Sequence, residues 1–434
     1  MKILLINTDD SMGGAAIACL RLLTALERTE GIEVNMLVQE KKRNHLNVKA
    51  IANTWLQKKL AFERFVRERL YFQFYEKSKQ IRFAFSPANT GIDISEHPLV
   101  KEADIIHLHW VNFGFLSISS LEKLFKLNKP IVWTLHDMWA FTGGCHHSGD
   151  CENYQVACGN CLQYLKNPSL NDLSNQIWHK KNTIFNPTPT LPNREGVRII
   201  GCSQWLANRA KKSSLLKDFS VKAIPNPLDI NLFLPQNKIE ARQKLGLPID
   251  KKLILFVAAK VSVIWKGFSY FQESLEILKS QIATKSQSQD IELVVLGESD
   301  EETINKLSFK AYTLGRISDV NQIVSIYSAA DIFVTSSIQE NLPNTIMEAM
   351  SCGTPSVGFE VGGIPEMIEN KTNGFLAKYK SAESLAEGMK WALYEANYAE
   401  LSKNARQKVV DNYSEKVVIE QYLEVYKSVV AQVS

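Results

Sequence analysis

Short apolar runs alternate with segments of helical spacing, and this alternation occurs twice along the chain. The first series has apolar runs at 2–7, 34–38, 104–108, 131–135 and 197–201, with helical spacing at 15–26, 121–127 and 205–216. The second has runs at 253–259, 291–296, 331–335 and 356–359, with helical spacing at 268–278, 320–329, 345–350 and 384–393. Continuous apolar runs suit strands covered on both faces, and strand–helix–strand units of this kind build parallel sheets. Between the series lies Ile224-Pro225-Asn226-Pro227-Leu228-Asp229, followed by Phe233-Leu234-Pro235, whose prolines deny helix and stiffen the joint. The pattern predicts α/β architecture: two doubly wound parallel-sheet (Rossmann-like) domains facing a cleft. Their expected bounds are 1–224 and 225–414, with a last helix within 415–434 returning to the first domain. Ligands in such folds gather at the carboxyl ends of the strands.

The length of 434 residues agrees, since domains run to about 150 residues each. Hydrophobic residues make up 45% and charged residues 22%, which excludes a disordered or collagen-like chain. A net charge of +4 argues against a dedicated nucleic-acid binder. The charge is unevenly spread. Residues 1–225 hold 29 basic and 20 acidic side chains, and 226–434 hold 21 and 26. The halves are therefore expected to face different partners. No apolar run is long enough to span a membrane, and Asp9 and Asp10 interrupt the N-terminal run before any signal-peptide core. The expected location is the cytoplasm, where cysteines are mostly reduced.

The segment Glu340-Asn-Leu-Pro-Asn-Thr-Ile-Met-Glu348-Ala-Met-Ser-Cys-Gly353-Thr-Pro355 follows an expected strand. Pro343 suits a first helical turn, so Glu340 lies on the loop and Glu348 within the helix. A helix start offers N–H groups and a positive dipole end to an anion. Two carboxylates beside it can grip hydroxyls flanking a diphosphate. On spacing alone, however, two glutamates this far apart mean little.

The wider set of motifs resembles the retaining glycosyltransferases of family 4, which have the two-domain glycosyltransferase-B architecture. Their hallmark is Glu, seven residues, Glu, then Cys-Gly-x-Pro, which Glu340–Pro355 follows. Val361-Gly362-Gly363-Ile364-Pro365-Glu366 and Asn373-Gly374-Phe375-Leu376 resemble two later family segments, and 224–235 resembles the interdomain segment with Pro227 in place of glycine. The resemblance implies that Glu340 sits beside the transferred sugar and Glu348 holds the nucleotide ribose. It places backbone groups around Asn344 and Thr345 on the diphosphate. Members carry an Arg and a Lys shortly after the first strand of this domain. Lys266, just before Gly267, matches the lysine, and Lys260 is a loose substitute for the arginine. An arginine forks to phosphate and a lysine does not, so the substitution changes the second cation.

In the first half, Asp10-Ser11-Met12-Gly13-Gly14-Ala15 follows the first strand and is neither a P-loop nor G-x-G-x-x-G. The resemblance places Gly13 and Gly14 against the donor sugar and phosphate. His136, in Trp133-Thr134-Leu135-His136-Asp137-Met138-Trp139, lies at a strand's carboxyl end, where the family has a histidine near the donor's hydroxyls. Asp137 either orients it or binds acceptor, and His107 and His109 read as structural. Cys145, Cys151, Cys158 and Cys161, within an insert at 145–161, form C-x5-C-x6-C-x2-C. Such a cluster suggests structural zinc, with reduced thiols and labile disulfides as alternatives. A similar insert accompanies bacterial family members that build extracellular polysaccharides, including the colanic-acid type. Residues 55–77 mix apolar and basic side chains, as in a helix lying on an anionic membrane surface or one packed on its own domain with snorkelling cations.

Together these readings imply transfer of a sugar from a UDP-, GDP- or ADP-sugar to a glycan or polyprenyl-linked acceptor, with anomeric retention. The chemistry requires no metal, since the motif region has no Asp-x-Asp pair. The setting is surface-polysaccharide synthesis in the cytoplasm, with peripheral contact to the inner face of the plasma membrane. The alternatives are a nucleotide-sugar epimerase on the same fold and a non-catalytic nucleotide-sugar-binding protein at the membrane.

Overall fold

The computed structural model describes residues 1–185, 196–261, 263–282 and 290–432. The chain divides into two compact units. One comprises Met1–Pro227 with Val418–Ser434, and the other Leu228–Val417. The crossings fall three residues later than the expected 224/225 and 414/415 boundaries. Both lie beside a backbone pairing: Leu228 N–H donates to the Tyr413 carbonyl at 2.8 Å, and Glu415 N–H donates to that of Leu228 at 3.1 Å.

Among the described residues the first unit holds seven strands: β1 (Lys2–Ile6), β2 (Glu33–Val38), β3 (Val48–Ala50), β4 (Ile105–Leu108), β5 (Ile131–Leu135), β6 (Val197–Gly201) and β7 (Ser220–Ala223). They form one sheet in the order β3-β2-β1-β4-β5-β6-β7. Every pair is parallel. Successive side chains point to opposite faces, so each strand feeds two cores. Leu4, Ile6, Ile106, Leu108 and Trp133 enter one, and Ile3, Leu5, Ile105 and Val132 the other. The second core is closed by the helix Gly13–Glu27 and by the last helix, Glu415–Val430. The last helix buries Val418, Tyr422, Val425, Tyr426 and Val429 there. Each such side chain contributes about 1.5–3 kcal/mol of transfer free energy. The last helix is therefore part of this unit's core.

The second unit holds β8 (Lys252–Lys260), β9 (Ile291–Glu298), β10 (Ala311–Gly315), β11 (Ile332–Thr335), β12 (Ser356–Phe359) and β13 (Gly374–Ala377). Their order is β10-β9-β8-β11-β12-β13, again all parallel. In both units the strand order reverses direction once, between β1 and β4 and between β8 and β11. Loops leaving the two strands on either side of such a reversal diverge and open a crevice at their carboxyl ends. No helix of the described residues is long and apolar enough to cross a membrane.

Candidate functional site

In the second unit the crevice is built by the loops after β8 and β11. The first turns through Ile264–Lys266 and leaves by Gly267, at φ +63°. A side chain there would be strained and would run into the Ser336 carbonyl oxygen, so only glycine lets the loops meet. The loops are pinned by Ile338 N–H donating to the Trp265 carbonyl at 2.9 Å and by the Ser336 hydroxyl donating to the Lys266 carbonyl at 3.0 Å. This brings Lys266 Nζ onto Glu340 Oε1, which also accepts from the Ser337 hydroxyl at 3.1 Å. The two side chains remain 30% and 14% exposed, so the pair is partly solvated. Gly362, at φ +60°, lies under the Glu340 carbonyl with no room for a Cβ, and Gly363 N–H donates to Asn341 O at 2.7 Å. The Gly-Gly segment thus backs the loop that carries Glu340.

The helix Asn344–Ser351 starts from this loop. Its cap residue is Pro343, which supplies no side-chain acceptor. Asn344 and Thr345 occupy the first turn, and Glu348 Oε2 accepts from the Tyr327 hydroxyl at 2.8 Å. Lys260 ends β8. Its Nζ is 4.0 Å from Glu298 Oε1, and Glu298 Oε2 pairs with Arg316 at 2.8 Å. Arg316 follows Gly315 at the end of an edge strand. It adds a second cation beside Lys260 that the sequence reading did not single out.

In the first unit, Trp110 N–H donates to Asn7 Oδ1 at 2.9 Å, and Thr8 N–H donates to the Trp110 carbonyl at 2.8 Å. The loops after β1 and β4 are tied by these bonds. Asp9 Oδ1 accepts from the Ser11 and Met12 N–H groups, each at 2.6 Å, and its other oxygen pairs with Lys42 at 2.5 Å. Gly13, at φ +83°, and Gly14 then open the helix Gly13–Glu27. Its cap residue, Met12, also offers no side-chain bond.

His136 follows β5, with its Nε2 3.0 Å from His109 Nδ1. One of these nitrogens donates, so the tautomers of the two rings are linked. Burial lowers the His136 pKa to about 4 despite the opposing pull of the Asp137 charge, so the ring is neutral at pH 7. The His109 and His107 rings lie 4.3 Å apart between centroids, tilted by 34°, and His107 bonds Tyr426 OH and Thr134 Oγ1, each at 2.8 Å. Burial lowers His107 to about 3. His107 is thus built into the core, whereas His109 is a direct neighbour of His136. The sequence had marked both as structural.

Asp137, whose charge raises the His136 pKa against burial, also ties three other groups. It accepts from Trp110 Nε1 at 2.8 Å, from Trp139 N–H at 2.8 Å and from His146 Nδ1 at 2.7 Å. Burial pushes its carboxyl up, but the His146 ring and the Trp139 N–H outweigh this and hold it at about 2. His146 Nε2 is 3.0 Å from Ser86 Oγ. The Ser86–His146–Asp137 order has the connectivity of a nucleophilic triad, but Ser86 is fully buried.

Cys145, Cys151, Cys158 and Cys161 lie near one another as free thiols. Among the described residues no group of three or more His, Cys, Asp or Glu side chains is placed to hold a metal ion. Cys151 is exposed, and Cys158 Sγ accepts from Gly143 N–H at 3.0 Å. As placed, these four thiols do not form the tetrahedral set that structural zinc requires.

Known proteins share this architecture. Over 361 residues the chain is 28% identical to the uncharacterized glycosyltransferase MJ1607 of Methanocaldococcus jannaschii, covering 78% of this chain and 87% of that protein. It is 24% identical over 347 residues to the putative colanic acid biosynthesis glycosyl transferase WcaC of Escherichia coli, covering 76% of each. A shorter match, 32% over 195 residues, is to the N,N'-diacetylbacillosaminyl-diphospho-undecaprenol alpha-1,3-N-acetylgalactosaminyltransferase of Campylobacter jejuni, covering 43% of this chain and 48% of that one. Among solved structures, sucrose-phosphate synthase of Thermosynechococcus elongatus superposes with a TM-score of 0.64 at 20% identity, covering 99% of both chains, and so shares the fold. Residues 237–408 match the family described as Glycosyl transferases group 1. Residues 12–232, half of the chain, match Glycosyltransferase Family 4, and the chain belongs to that family.

Proposed function

We propose that this glycosyltransferase moves a sugar from a nucleotide-sugar to an acceptor hydroxyl with retention of anomeric configuration, during assembly of a surface polysaccharide. The observation that carries the reading is the Lys266–Glu340 pair at the β8/β11 reversal, beside the start of the helix that bears Glu348. Loss of a nucleoside diphosphate puts new negative charge on the departing phosphate oxygen. A partly solvated lysine and a helix N-terminus without a side-chain cap are suited to stabilise it. Glu340 meets the transferred sugar, Glu348 the ribose, and the first turn at Asn344 and Thr345 the diphosphate. Lys260 contributes to the donor side by its charge. In the first unit, Gly13 and Gly14 are assigned to the donor's sugar and phosphate and neutral His136 to its hydroxyls. With no nucleophile assigned, attack comes from the face the nucleotide leaves, and the departing phosphate oxygen takes the acceptor's proton.

The relatives' names support the acceptor class. One acts in colanic acid synthesis and another on a diphospho-undecaprenol sugar. A polyprenyl-linked glycan, reached from the inner face of the plasma membrane, is therefore the acceptor proposed here. The test is product analysis with donor and lipid-linked acceptor, after a thermal-shift screen of UDP-, GDP- and ADP-sugars has selected the donor. Transfer with retention is expected, and Glu340→Ala should abolish it. Inversion, epimerised donor as the main product, or wild-type transfer by Glu340→Ala would each overturn the reading.

A further inference from the structure

The helix Trp55–Gln73 is turned inside out. Its buried positions are Ala61, Glu68, Arg69 and Phe72. Trp55, at 75% exposed, Phe62, at 64%, and Leu56, Leu60 and Leu70 face solvent. Phe74 and Phe83, exposed by 71% and 52%, extend the apolar surface beyond the helix end. Polar bonds hold the helix in this orientation. The Glu68 carboxylate accepts from Gly114 N–H at 2.8 Å and pairs with Arg69 at 2.5 Å, while Arg64 Nε donates to the Gly114 carbonyl at 3.2 Å. Contiguous apolar surface of this kind marks an interaction site.

Charge identifies what covers it. Lys58, Lys59, Arg67, Lys77 and Lys79 are exposed among these side chains. The exposed acid on the helix, Glu63, is paired with Arg67 at 2.5 Å. A second copy of the chain, docked face to face, would set these cations against themselves. A bilayer bearing anionic lipid meets both demands, with phosphates for the cations and an interfacial layer for the aromatic and aliphatic side chains.

We propose that this face docks on an anionic lipid bilayer and that an aromatic run couples it to the strand ends carrying His136. Phe62 lies 6.3 Å from Phe65, Phe65 lies 6.1 Å from Phe113, and Phe113 lies 4.8 Å from Trp110. Trp110 in turn bonds Asp137. Phe113 has φ +60°, a strained conformation for a bulky residue, and the clamp of Glu68 and Arg64 on Gly114 adjoins it. The seat of the helix on the bilayer thus fixes the loop beside the site. The coupling rests on the acceptor being membrane-borne, and the docking does not.

The experiment uses the full chain and sedimentation with vesicles of phosphatidylcholine alone or mixed equally with phosphatidylglycerol. Wild type should bind the mixed vesicles about tenfold more tightly or better, with binding weakened by salt. K58E/K59E should lose about tenfold on mixed vesicles. L56S/L70S should weaken binding on both. Both variants should keep the wild-type Tm and the wild-type release of sugar from donor in the absence of acceptor. Equal binding to both vesicle types, or variants that bind as wild type, would overturn the proposal. So would a dimer in solution that L56S/L70S dissolves. Vesicle binding without any sugar transfer would sink the functional reading and leave the docking surface standing.

Discussion

At the β8/β11 reversal the second unit holds a lysine and a glutamate in contact with each other and with water. Within β4, just after it and just after β5 the first unit holds His107, His109 and His136, all kept neutral by burial. The two sheets share one strand order around the reversal; His109 follows β4, the counterpart of β11, and His136 follows the next strand, β5. A half-solvated ion pair costs little to maintain and can exchange one partner for a phosphate when an anion arrives. Neutral rings that have already lost their water offer hydrogen bonds to hydroxyls and repel nothing. The difference matches a division of labour between anion and sugar hydroxyls.

The sharpest way to break this comparison is Lys266→Met. The pair is partly exposed, so it contributes about 0–1 kcal/mol to stability, and Tm should move little. If Lys266 stabilises the departing diphosphate, kcat should fall by about 10²–10³-fold. Wild-type kcat, or a loss explained by unfolding, would remove the electrostatic role from the second unit.

The first unit's neutral rings make the opposite prediction, of a stability effect set by pH. Unfolded histidines take up a proton near pH 6.5, whereas folded His136 resists to about 4 and His107 to about 3. Between pH 6.5 and 4 the unfolded state therefore binds more protons. Stability contributed by each ring is present above 6.5 and is lost as the pH falls. The slope is about 1.4 kcal/mol per pH unit for each ring. Urea titrations across this window should show it, and His107→Gln should remove about one ring's share. A slope unchanged in that variant would mean His107 is not held neutral by its surroundings.

What the sequence revealed follows the same physics of burial. All nine central strands read as apolar runs, because a central parallel strand is covered on both faces. The four that escaped notice, β3, β7, β10 and β13, are the four sheet edges. β7, Ser220–Ala223, alternates exposed and half-buried residues, and β3 is three residues long, so neither carries a continuous apolar signal. Arg316 was missed with its edge strand. Lys266 and Glu340 could be singled out in the sequence because each sits next to a motif whose glycines and prolines shape the backbone. Their contact could not, since it needs two loops 74 residues apart. The bond between Asp137 and His146 was hidden for the same reason. A later turn supplies this partner.

Glu348→Gln gives the smallest expected effect and the finest test of roles within the second unit. The substitution keeps the side chain's volume and an oxygen for the Tyr327 hydroxyl, so the helix Asn344–Ser351 should be unperturbed. What is lost is the charge of the acceptor, and a charge-assisted hydrogen bond is about twice as strong as a neutral one. If Glu348 grips the ribose in ground and transition states alike, the loss is uniform binding. The donor KM should then rise about fivefold, with kcat within about twofold of wild type. A fall in kcat with unchanged KM would instead place Glu348 at the reacting sugar. The roles of Glu340 and Glu348 would then have to be exchanged, and Lys266, which bonds Glu340, would move with it from the leaving phosphate to the nucleoside.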